Sequence, residues 1–224
     1  MMANKYGNVL TVILVILIIA ILIGAGLLIY NYVVKPRIED NRTIEAIAEF
    51  DRNAGEEGQE EEQENEENTI TTITPDESSG TTNNTVKKKT YYEGFVMIGY
   101  ITIPKTNVKE PILDVVTPDS LDTAVAVLYP SNPKLNQPGN VVIIGHNYRN
   151  GKFFSNNDKL TVGDKIKIKD TTGTELTYTI YQKFQTTEQD TSFYNRDTNG
   201  VAEITLSTCT DDSKARIIIL ARAD

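Results

Sequence analysis

The chain opens with a block in which polar positions are almost missing. Val9 to Tyr30 is apolar apart from Thr11, Gly24 and Gly26. As a helix this stretch spans about 33 Å, the hydrocarbon thickness of a bilayer. Tyr30 and Tyr32 fall where interfacial aromatics belong, with Lys35 and Arg37 just beyond. The run exceeds the roughly 7–15 apolar residues of a cleaved signal peptide. Ala46-Ile47-Ala48 mimics a cleavage site but lies too far downstream. The pattern predicts an uncleaved transmembrane signal anchor over residues 9–34, behind a short tail, 1–8. Lys5 flanks one side and Lys35 and Arg37 the other, so charge does not set its orientation.

Apolar periodicity then fades. Ile38, Ile44, Ile47 and Ala48 extend a short helix over 38–49. Glu56 to Glu67 holds eight Glu and no apolar residue. Such a segment buries too little surface to offset its ordering entropy. Residues 69–85 are rich in Thr, Asn and Ser, with Pro75 and Gly80 as breakers. Residues 35–85 are therefore expected to be a disordered acidic linker, extended by its own charge.

From residue 86 the period becomes that of strands. Met97–Ile103 alternates and stops at Pro104. Val108–Val115 is a second run, and Pro111 in it suggests an edge or bend. Leu121, Ala124, Val125 and Leu128 have helical spacing, with Asp119 or Ser120 as cap. Val141–Ile144 is a buried strand, and Asp164–Lys169 alternates strictly. Leu176–Phe184, Glu203–Ser207 and Ala215–Ala221 complete the set. Short strands with turn-rich gaps predict a mostly β domain, a closed antiparallel-type barrel, over 86–224.

Charge sharpens the division. The net charge is −9. Residues 1–85 carry −10 and residues 86–224 carry +1. The folded part is nearly neutral and has no long basic run, which argues against a nucleic-acid partner. Cys209 is the only cysteine and His146 the only histidine. A lone cysteine forms no intrachain disulfide, and it is either a small buried hydrophobe or a reactive thiol. His146 is likewise either a satisfied structural residue or a proton carrier near neutral pH. The two lie 63 residues apart, so only the fold can bring them together.

Thr205-Leu206-Ser207-Thr208-Cys209, followed seven residues later by Arg216, resembles the signature of the sortases. Ile103-Pro104-Lys105, Gly139–Asn147 and the turn Lys159–Asp164 match that family in the same chain order. The resemblance covers roughly residues 95–224 and implies an eight-stranded closed β-barrel with a few short helices. It implies Cys209 as nucleophile, His146 as general acid and base, and Arg216 as electrophilic partner that steadies the oxyanion or binds the substrate backbone. Arg222 is the rival arginine, since residues six apart share a strand face. Arg216 starts its strand and aligns with the family arginine. Ser207 and Thr208 resemble positions that contact the sorting peptide or the oxyanion, although β-propensity alone also explains them. Phe193 and Tyr194, in the Gln185–Gly200 segment, either line an apolar groove or pack in the core.

The implied activity is a cysteine transpeptidase and thiol hydrolase of a Gram-positive-type cell surface. It would cleave a Leu-Pro-x-Thr-Gly-like sorting signal after Thr. It would then join surface proteins to an amine of a peptidoglycan precursor, with its catalytic domain outside the cell. The absence of a C-terminal membrane segment and of an Asp-Pro-aromatic lid points away from pilus-polymerising members, towards class A- or D-like ones. No metal or other cofactor is predicted. Some sortases bind calcium, but Glu110, Asp114 and Asp158 do not make such a site. Two other readings remain open: a non-catalytic, membrane-tethered binding module on the same barrel, and a thiol peptidase whose acyl-enzyme is resolved by water.

Overall fold

A computed structural model describes residues 3–54, 88–128 and 134–224. The chain divides into two compact units, Met1–Glu45 and Ala46–Asp224. The first unit is built on helix α1 (Ala3–Ile29), whose apolar side chains from Val9 onward are exposed rather than covered by protein. It is long and apolar enough to cross a membrane, and hydrophobic on all sides, as membrane spans are. A π-helical turn, Tyr30–Val34, follows it, and then helix α2 (Lys35–Asn53). This helix is longer than the 38–49 expected from apolar spacing. Residues 55–85 of the expected linker lie outside the described residues.

In the second unit, the end of α2 buries Ile47 and Phe50 with Met97 and Tyr100 of strand β2 (Phe95–Ile103), and Ala46 with Tyr92 of strand β1 (Thr90–Tyr92), Leu113 and Ala126. The spacing of Ala46, Ile47 and Phe50, i, i+1 and i+4, gives this stretch one apolar face. Phe50 meets Tyr100 edge-on, with ring centroids 6.0 Å apart. The Tyr100 hydroxyl donates to Asp51 at 3.2 Å, and Lys169 reaches the same carboxylate at 2.8 Å. Burial, reinforced by Asp51, pushes the Tyr100 phenol up to about 12. Asn53 Nδ2 donates to Thr90 Oγ1 at 2.9 Å, so residues 53 and 90 sit side by side. The folded unit thus begins forty residues before the boundary at 86 that strand patterning gives.

The remaining strands are β3 (Val108–Leu113), β4 (Val125–Val127), β5 (Gly139–Ile144), β6 (Lys165–Asp170), β7 (Glu175–Thr186), β8 (Ala202–Cys209) and β9 (Arg216–Ala223). They close in the order β2-β3-β4-β5-β8-β9-β7-β6 and back to β2, with β1 added alongside β2. That is the expected eight-stranded closed barrel. It is not antiparallel throughout, because β3–β4 and β5–β8 are parallel. Pro111 pairs only with β2, since β4 starts opposite Ile112, so its missing N–H breaks no second ladder.

Sequence spacing misreads the segment after β3. Helix α3 runs only Pro118–Thr123 and is capped by Thr117, which forms a reciprocal capping box with Ser120. Val125, expected to be helical, lies in β4. Small and β-branched residues suit a strand buried on both faces, and pairing with β3 and β5 overrides the helical spacing.

Alternate side chains fill the barrel, among them Ile101, Val141, Ile143, Ile166, Ile204, Leu206, Ile217 and Ile219. A second apolar layer forms outside the barrel, on β5, β7 and β9. There Val142, Ile218 and Leu220 pack under Phe193 of the loop after β7. Burial on both faces explains why β5 and β9 read as unbroken apolar runs.

Phe50→Ala should lower the unfolding free energy of the second unit by roughly 3–5 kcal/mol. A chain beginning at residue 86 should melt below one beginning at residue 46. Calorimetry reads both effects, and equal melting points would mean that the end of α2 contributes nothing.

Candidate active site

The parallel register of β5 and β8 pairs Ile144 with Ser207. His146 and Cys209 each follow those partners by two residues, so the two strands deliver them to the same end of the barrel. A turn over residues 210–215, closed by Thr210 N donating to Ala215 O at 2.9 Å, then returns the chain as β9. Its register sets Arg216 directly opposite Cys209. Both point outward, away from the core residues Leu206, Ile217 and Ile219.

Cys209 is half-buried. Arg216 Nη1 donates to Cys209 Sγ, and its Nη2 lies 3.2 Å from Glu188 Oε1. These two side chains and His146 border one cleft of about 300 Å³. Arg222 does not reach it. It lies six residues along the same strand, about 20 Å away by strand rise, and is bonded to Glu203.

His146 follows Gly145, where the chain passes close to its neighbours. A Cβ there would lie 2.8 Å from both Phe154 and Val125. His146 Nε2 is 3.5 Å from Asp122 of α3. The Tyr148 hydroxyl donates to the same carboxylate at 2.5 Å, and its ring lies 5.0 Å from the imidazole. Burial and then the Asp122 hydrogen bond push the Tyr148 phenol up to about 12, so it stays a donor at any working pH. Asn147 ties the ends of β5 and β8 together. Its Nδ2 donates to Cys209 O at 3.0 Å and to Asp211 at 2.9 Å.

Ser207, Thr208, Phe193 and Tyr194 also line the cleft. Ser207 and Thr208 are buried, and the Thr208 hydroxyl has no hydrogen-bond partner among the described residues. Phe193 is both wall and core: it packs on Val142 and Ile218 and meets Tyr194 edge-on at 4.7 Å. Sequence reasoning missed Asp122, Asn147, Tyr148 and Glu188 as neighbours of the site. Asn147 alone had a signal, its place beside His146. Among the described residues no three His, Cys, Asp or Glu side chains gather as a metal site, with Glu110, Asp114 and Asp158 included.

A family model of the sortase domain matches residues 101–224. Among solved structures, the chain is 33% identical to a sortase D5 transpeptidase of Clostridium perfringens, with a TM-score of 0.52 over 57% of this chain and 79% of that one. Sortase C-1 of Actinomyces oris matches at 23% identity and a TM-score of 0.53, over 56% of this chain and 73% of that one. Sortase A of Corynebacterium diphtheriae matches at 23% and 0.52, over 63% and 64% respectively. These last two likenesses concern the fold alone. No curated protein matches the sequence.

Gly145→Ala should destabilise the domain by about 1–3 kcal/mol, because its methyl group must displace Val125 or Phe154. Urea unfolding measures the change, and an unchanged midpoint would mean that the pocket yields freely.

Proposed function

Because the chain belongs to the sortase family, we propose that it is a membrane-anchored transpeptidase in which Cys209, His146 and Arg216 carry the reaction. The observation that supports this most directly is the guanidinium of Arg216 donating to Cys209 Sγ in a cleft that His146 borders. A nearby fixed cation favours the thiolate, the nucleophilic form.

In this reading Cys209 attacks the carbonyl of the Thr in a Leu-Pro-x-Thr-Gly-like sorting signal. Arg216 steadies the oxyanion that forms. The intermediate collapses to a thioester, and His146 gives a proton to the departing amine. An amine of a cell-wall precursor then attacks the thioester, loses its proton to His146 and releases Cys209. Atoms and charge balance without an external oxidant or cofactor. Ser207, Thr208, Phe193 and Tyr194 supply groove surface for the peptide.

Helix α1 serves as a single-pass anchor with its N-terminus inside, which leaves the catalytic domain outside a Gram-positive-type membrane. The clients are secreted proteins that carry C-terminal sorting signals. A class D-like assignment draws support from the 33% identity to the Clostridium perfringens enzyme.

The test is to incubate residues 46–224 with Leu-Pro-x-Thr-Gly and Asn-Pro-x-Thr-type peptides, with and without an added amine, and read products by mass spectrometry. Wild type should form a thioester on Cys209 and an amine-linked product. Cys209→Ala should abolish turnover. His146→Ala and Arg216→Ala should each lower it by orders of magnitude, and Arg222→Ala should keep it. Acid product alone, even with amine present, would mark a peptidase resolved by water. A folded domain with no adduct on any peptide would mark a binding module.

A further inference from the structure

The loop over residues 187–201 carries one wall of the cleft, yet its grip on the barrel lies away from the reacting groups. Asn140 of β5 donates through Nδ2 to two loop carbonyls, Phe193 O at 3.1 Å and Tyr194 O at 2.9 Å. Its Oδ1 accepts from Arg196 Nη2 at 2.9 Å and from Thr205 at 2.8 Å. Arg196, itself in the loop, reaches Glu203 Oε2 at 2.7 Å. The Glu203 side chain is only 1% exposed, and Arg222 holds its other oxygen at 2.9 Å. Tyr181 bridges the same carboxylate at 2.8 Å.

A carboxylate this buried needs partners. Burial alone would raise its pKa. Hydrogen bonds from Tyr181, Arg196 and Arg222 outweigh burial and hold it below the usual range. Glu203 is therefore charged at neutral pH and fixes Arg196. Arg196 orients the Asn140 amide, and the amide pins the two carbonyls beside the groove aromatics. Arg216, Cys209 and His146 make none of these bonds.

We propose that Asn140, Arg196 and Glu203 form a clamp that sets the position of Phe193 and Tyr194, and with them the affinity for the sorting peptide rather than the reactivity of the thiol. The part about peptide affinity rests on the proposed transpeptidase function. Asn140 and Arg196 are positioning residues in this scheme.

The test uses the full chain in detergent micelles, wild type, Asn140→Ala and Arg196→Lys. Asn140→Ala removes its three bonds to the loop, those with Phe193 O, Tyr194 O and Arg196, but leaves Glu203 with its two arginines. Arg196→Lys keeps the charge but loses the fork that joins Glu203 to Asn140. Asn140→Ala should speed amide exchange in residues 187–200 about tenfold or more, with β5 and β8 unchanged. It should raise KM about tenfold with kcat held within about twofold. Alkylation of Cys209 by iodoacetamide should keep its wild-type rate. Arg196→Lys should move the same readouts in the same direction by less.

Unchanged exchange in the loop overturns the clamp. So does faster exchange spread evenly over the barrel, which would mark a merely structural role. A fall in kcat and alkylation rate at constant KM would overturn the separation of affinity from chemistry. Wild type that turns over no peptide would refute the transpeptidase reading, while the exchange measurement would still decide the clamp.

Discussion

The pairing of β5 with β8 in parallel is the constraint on which the site depends. Two strands that run the same way end at the same rim, so residues 63 positions apart arrive together. The hairpin from β8 to β9 then adds Arg216 through a register fixed by backbone hydrogen bonds. A one-residue slip in that hairpin would turn Arg216 into the core and Ile217 toward Cys209. β9 is paired on both sides, to β8 and to β7, so such a slip would have to break two ladders at once. Backbone pairing thus holds the register at the cleft, and the polar groups inherit their positions from it.

Much of this was legible in the chain. Most strands of the barrel follow from alternation or from short apolar runs bounded by turns. What the sequence hid were interactions between distant segments. β4 carries a helical spacing and becomes a strand only because β3 and β5 flank it. Asp122 reaches His146 through α3, and Glu203 finds Arg196 and Arg222 through loop and strand. None of these has a local pattern. Phe193 and Tyr194 were open between groove and core, and Phe193 serves both.

Charged side chains on this outer face divide into two groups. Those at the rim, Glu188, Asp122 and Asp211, are solvent-facing partners of the site residues. Such exposed pairs contribute little to stability and can be exchanged for substrate contacts at small cost. Glu203 is the opposite case, buried and held by Tyr181, Arg196 and Arg222 together, so that its charge is compensated from several sides. The cleft thus has exposed charges at its rim and a buried, multiply bonded one beneath the loop that forms its wall.

The hydrogen bond between Asn53 and Thr90 changes what the acidic segment can mean. As a linker it was expected to add reach, with each residue extending the separation between its two ends. Its ends instead meet at one spot on the folded unit, so the intervening chain leaves and returns to the same place. Contour length there contributes no distance. The entropy of closing such a loop grows only with the logarithm of its length, about 0.6 kcal/mol per doubling. A change in the number of residues between Asn53 and Thr90 therefore costs the folded unit little, because the two ends stay pinned at the same place.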